Sequence, residues 1–104
     1  MMNIQREVRK ILNWYGEENQ INKAIEELEE LKEELEKFKD CKGGIDALEA
    51  IENIKLEMAD VTIMLVQLEE VFNYDKEDFA KKVEYKIDRT LKRIEKEKEV
   101  EGLK

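Results

Sequence analysis

The sequence has no proline, no histidine, one cysteine, one tryptophan and only four glycines in 104 residues. Each shortage closes an option. Without proline, no residue bars its own backbone N–H from a helical hydrogen bond or forces a kink. The lone Cys41 cannot form an intramolecular disulfide, and with no histidine beside it a zinc site lacks ligands. The same lack removes Ser-His-Asp triads and imidazole acid–base chemistry. No window reaches the roughly 18 apolar residues of a membrane span. The opening MMNIQREVRK has no apolar signal core. By default these features place the chain in the cytoplasm, with no membrane partner.

Charge is what the chain has in excess. Charged residues make up 44%, and 27 acids against 19 bases leave a net charge of −8. Nonspecific binding to a nucleic-acid backbone needs a basic face, so no nucleic-acid partner is expected. An acidic protein can still bind a nucleotide if a metal bridges the two. Recurring Glu, Lys, Leu and Ile favour long helices over sheets. We expect one all-α domain over residues 1–104: a bundle of about four helices with an antiparallel central pair. Such a short chain buries a modest core, and oligomerisation would raise its stability.

Residues 3–14 carry Ile4, Val8, Ile11 and Leu12 at helical spacing. Gly16 is placed to cap that helix. Trp14 and Tyr15 can stack on a base, although closing one end of the core is the simpler reading. A second helix, about 18–39, carries Ile21, Ala24, Leu28, Leu31, Leu35 and Phe38, an unbroken heptad seam. Glu26, Glu29 and Glu33 fall on its outer face. Gln20, Lys23, Glu27, Glu30 and Glu34 lie along a flank of the seam. Gly43-Gly44 is the clearest break. Asp46 with Glu49 has the form of a capping box opening a third helix that runs to about Phe72. Asp75 is placed as the N-cap of a last helix. That helix offers Phe79, Val83, Ile87, Thr90, Leu91 and Ile94 as a buried stripe. Lys82, Lys86, Arg89 and Arg93 form a second, basic stripe. The charged tail from about Glu95 is expected to fray.

The third helix contains EMADVTIMLVQL, apolar almost all the way round, which suits the centre of a domain. Yet Glu57 and Asp60 stand one turn apart on one of its faces. Ionised carboxylates are costly to bury without a partner. A divalent cation is the simplest compensation, and oxygen ligands suit magnesium, manganese or calcium. If the second and third helices pack antiparallel, Glu27 and Glu30 can approach Glu57 and Asp60. Four converging carboxylates repel unless cations lie between them. Magnesium takes few protein carboxylates and fills its remaining positions with water and phosphate, so the site suits a nucleotide polyphosphate. The basic stripe of the last helix can hold the phosphate end.

Lys23-Ala-Ile-Glu26-Glu27-Leu-Glu-Glu30-Leu31, followed by Glu57-Met-Ala-Asp60-Val, resembles the ExxE…ExxD signature of the MazG-like all-α nucleoside triphosphate pyrophosphohydrolases. Gln20 ahead of Lys23 is similar to that family's pattern. The resemblance covers roughly residues 3–94. It implies magnesium-dependent hydrolysis of an NTP or dNTP to the monophosphate and pyrophosphate, with manganese as a substitute ion. By motif, Glu27, Glu30, Glu57 and Asp60 would be the metal ligands. Gln20 and Lys23 would bind substrate, with Lys86 and Arg89 on the phosphates. Glu27 or its neighbour Glu26 would take the proton from the attacking water. Family members are homodimers or tetramers, so a second copy of the chain is an expected partner. The short connection between the motifs leaves little for a base-recognition element. Two alternatives stand beside this reading. One is a non-catalytic helical adaptor, favoured by the heptad seam. The other keeps the fold but acts on phosphoribosyl-ATP or dUTP.

Overall fold

A computed structural model describes residues 1–102. They form four helices, with no strand among the described residues: α1 (Ile4–Tyr15), α2 (Glu17–Asp40), α3 (Ile45–Phe72) and α4 (Lys76–Glu101). The all-α expectation holds. None of these helices is long and apolar enough to cross a membrane. The chain divides into two units, Met1–Asn73 and Tyr74–Lys104.

The helix ends follow from local chemistry. Asn3 caps α1, its Oδ1 accepting from the Arg6 N–H at 3.0 Å. Gly16 ends α1 and starts α2. Its N–H donates to the Leu12 carbonyl at 2.8 Å and its own carbonyl accepts from Gln20. The φ of +90° required there suits glycine. Asp75 caps α4 as expected, accepting from the Glu77 N–H at 3.1 Å. The capping box at Asp46 does not form. Gly44 is the N-cap of α3, with no side-chain cap, and Asp46 lies inside the first turn. There its charge complements the helix dipole instead. The tail does not fray from Glu95 either: α4 continues to Glu101 and closes on Gly102.

In the first unit, α2 packs on α3 and α1 packs on both. Residues from the start of α2 and the end of α3 line one cavity, and those from the end of α2 and the start of α3 line another. Arg9 and Gln5 tie α1 to Glu70 of α3, with Arg9 Nη2 2.9 Å from the carboxylate. Among the described residues, the buried ones are Val8, Leu12, Ala24, Ala50 and Met64, together with Gln20, Glu27 and Gln67. Three polar side chains in eight is a high share, because such groups normally need partners when buried.

The packing face of α2 is therefore not the heptad seam. It is the neighbouring stripe Gln20, Ala24, Glu27, Leu31 and Glu34, while Leu28, Leu35 and Phe38 are exposed. Both stripes repeat every seven residues, so periodicity alone cannot choose between them. The central stretch of α3 is likewise only half enclosed. Met64 is buried, but Met58 and Leu65 are exposed. An apolar ridge runs along α3 through Ile51, Ile54, Met58, Val61, Leu65, Leu68 and Phe72. Of these, Ile51, Met58, Leu65 and Phe72 are exposed and the others half-buried.

The expected buried stripe of α4 is also open. Phe79, Val83, Ile87, Thr90, Leu91 and Ile94 are all exposed. This unit's own contacts are local. Tyr74 stacks on Phe79 with ring centroids 4.8 Å apart. Lys82 pairs with Asp78 at 2.6 Å and Lys92 with Asp88 at 2.9 Å. Of the basic stripe, Lys82 is thus engaged by an acid one turn away on the same helix.

Candidate metal centre

Helix α2 places Glu27 on its packing face, because Ala24 and Leu31 on either side of it turn inward. Helix α3 supplies Glu57 and Asp60 from the same side as buried Ala50 and Met64, at spacings of seven and four respectively. Each of the three acids offers one carboxylate oxygen, and these oxygens all lie within 4.8 Å of one another. Glu27 is 6% exposed, while Glu57 and Asp60 are half-buried.

One cation faces the group. Lys23 Nζ lies 3.1 Å from Glu27 Oε1. That hydrogen bond and the charge of Glu27 hold the Lys23 ammonium above its ordinary pKa. The other oxygen of Glu27 and one oxygen of Glu57 are buried without a hydrogen-bond partner. One lysine does not balance three carboxylates, and orphaned buried carboxylate oxygens are destabilising. Glu30 stands at the exposed rim. Repulsion from Glu27 first, then partial burial and Glu57, raises its carboxyl above the ordinary range. A hard divalent cation fits this donor set: acidic oxygens converge, two of them lack partners, and neither nitrogen nor sulfur is among the donors.

A cavity of about 430 Å³ adjoins the cluster. Gln20, Lys23 and Glu26 border it on the α2 side, and Ile63, Met64 and Gln67 on the α3 side. Ile11, Tyr15 and Asn19 complete it. Gln20, Glu27 and Glu34 are two turns apart along α2, as are Asn53, Asp60 and Gln67 along α3. Gln20 and Gln67 share this cavity, Glu27 and Asp60 share the acidic group, and Glu34 and Asn53 share a second cavity further along.

The structure thus brings together Glu27, Glu57 and Asp60, with Lys23 on Glu27 and Glu30 near enough to feel the cluster. Gln20 and Glu26 join through the cavity. Lys86 and Arg89 stand exposed on α4, and the acidic group is built from α2 and α3 alone. Trp14 does not close the core: it is 83% exposed. Tyr15 is exposed as well, and it lines the cavity instead. Gln67 is not legible as a site residue in the sequence. Its only signal there is an amide inside an otherwise apolar run. No family model, curated protein or solved structure matches the chain.

Proposed function

We propose that the chain is a magnesium-dependent nucleoside triphosphate pyrophosphohydrolase, converting an NTP or dNTP to the monophosphate and pyrophosphate. The observation that carries this reading is the convergence of Glu27, Glu57 and Asp60 from two helices, with partnerless oxygens on Glu27 and Glu57. One oxygen of Glu57 is buried without any hydrogen-bond partner, and a cation between the carboxylates would supply one. An antiparallel α2–α3 pair is supported by the cavities, which match the start of each helix with the end of the other.

In this reading Glu27, Glu57 and Asp60 hold Mg2+, and Glu30 joins from the rim. The ion, when bound, neutralises polyphosphate charge and lowers the pKa of a water. Glu26, at the cavity edge and outside the acidic trio, is free to accept the proton as water attacks the α-phosphorus. Lys23 pairs with Glu27 and offers its charge to the departing pyrophosphate. Lys86 and Arg89 would add further positive charge on the phosphates. A substrate drawn from free nucleotide pools implies a cytoplasmic setting.

Self-association belongs to the same reading. The exposed ridge from Ile51 to Phe72 keeps strict three–four spacing, as helix pairs in bundles do. Leu28 and Leu35 leave a matching apolar stripe on α2. A homodimer or tetramer would cover both and enlarge a core that is small in one copy.

The test is hydrolysis of a nucleotide panel with Mg2+ or Mn2+, scored for pyrophosphate against orthophosphate. Pyrophosphate release by the wild type, with Glu57→Gln and Asp60→Asn at least a hundredfold slower, is the expected result. Normal turnover by either variant would defeat the assignment. The panel includes phosphoribosyl-ATP and dUTP, which separates the substrate alternatives. The same exposed apolar stripes favour the second reading, a non-catalytic helical adaptor. Under that reading neither Mg2+ nor a nonhydrolysable nucleotide shifts the melting midpoint.

A further inference from the structure

The cavity beside the acidic cluster contains a group that the metal chemistry leaves unused. Gln67 is 1% exposed, and neither its amide oxygen nor its amide nitrogen has a hydrogen-bond partner. Such groups are few in native proteins and call for an explanation. An apolar side chain of the same length would fill the position without leaving an amide unpaired. A second buried amide, Gln20, borders the same cavity from α2.

The cavity differs from end to end. Gln67, Gln20, Met64 and the Tyr15 ring offer apolar surface and neutral hydrogen-bonding groups, while Lys23 and Glu26 mark the way to the carboxylates. A nucleotide has the same polarity: a flat, neutral base at one end and phosphates at the other. Gln20 precedes Glu27, and Gln67 follows Asp60, by two helical turns, about 10 Å. A sugar and its first phosphates bridge that separation. The volume of about 430 Å³ lies within the range of small-molecule sites.

We propose that this cavity is the nucleobase subsite of the polyphosphate substrate and that the Gln67 carboxamide pairs with the edge of the base. The assignment rests on reading the acidic cluster as the polyphosphate site. A carboxamide presents a donor and an acceptor side by side. The pairing edges of the common bases carry the complementary arrangement. Gln67 already forms part of the cavity wall, so its amide can pair with a base seated there once its side-chain torsions turn it toward the cavity. Gln67 itself is 1% exposed, and a hydrogen bond made to a group so buried is stronger than one made in water. Base recognition then comes from the helices themselves, not from the short connection between the motifs.

The experiment is calorimetric binding of two probes, each with Mg2+, to wild type, Gln67→Met and Asp60→Asn. One probe is an α,β-imido nucleoside triphosphate, tried with a purine and with a pyrimidine. The other is inorganic tripolyphosphate. Gln67→Met is expected to weaken at least one nucleotide about tenfold and to leave tripolyphosphate unchanged. Asp60→Asn weakens both probes. Unchanged binding of both nucleotides by Gln67→Met, or equal weakening of nucleotide and tripolyphosphate, overturns the base assignment and leaves the metal reading intact. A wild type that binds neither probe overturns both. Should Gln67→Met fail to fold, the Gln67 side-chain amide resonances of the wild type decide. They are expected to shift with nucleotide and not with tripolyphosphate; a shift with neither, or an equal shift with both, overturns the proposal.

Discussion

Glu27 concentrates the conflict between stability and function. It is buried, held by Lys23 on one oxygen and by nothing on the other. Glu57 and Asp60 sit opposite, and like charges at such distances repel. Removing the charge while keeping the shape therefore relaxes the metal-free protein. Glu27→Gln is expected to stabilise it by about 1 kcal/mol, a rise of several degrees in Tm for a unit of this size. A Mg2+-induced rise in Tm is expected of the wild type and is expected to be lost in the same variant. Glu30 carries the pH dependence. Its carboxyl is raised in the fold, chiefly by Glu27, so the folded state holds that proton more tightly than the unfolded chain does. Its contribution is therefore fully present at acid pH and is lost as pH rises through the raised folded value. Melting curves across that range, without metal, are expected to show Glu30→Gln gaining on the wild type as pH rises. Saturating Mg2+ should reverse the order.

At the level of the helices, the α2–α3 connection and the α3 ridge matter most. Gly44 caps α3 at φ +70° and ψ −142°, a conformation that L side chains rarely adopt, although a Cβ there would meet nothing within 4 Å. The cost of Gly44→Ala is thus one of backbone alone, about 1–2 kcal/mol by urea unfolding. The ridge of α3 makes a different demand. Leu65 is exposed in one copy, so a charge there leaves the fold of the single chain intact. Leu65→Glu is expected to lower the mass seen by analytical ultracentrifugation to that of one chain while helical circular dichroism persists. An unchanged mass would remove α3 from the interface.

For the molecule as a whole, a small core with three buried polar members meets a net charge of −8. Both weaken a lone copy. Association of copies would make stability depend on concentration, so under that proposal the wild-type Tm is expected to climb with protein concentration, and that of Leu65→Glu is not. Much of this was legible in the sequence. Helix content, the ends at Gly16 and Asp75 and the acid pairs at i, i+3 follow from local propensity and spacing, which act within a few residues. The choice of packing face was not. On α2 the seam Ile21–Phe38 and the flank Gln20–Glu34 share one period, and only contact with α3 turns Glu27 inward. The same holds for α4, whose apolar stripe is regular in sequence yet exposed. Periodicity states that a helix has a face to cover; only the neighbouring helices decide which face is covered and by what. Gln67 shows this most clearly, since an amide in an apolar run acquires meaning only when α1, α2 and α3 enclose a cavity beside it.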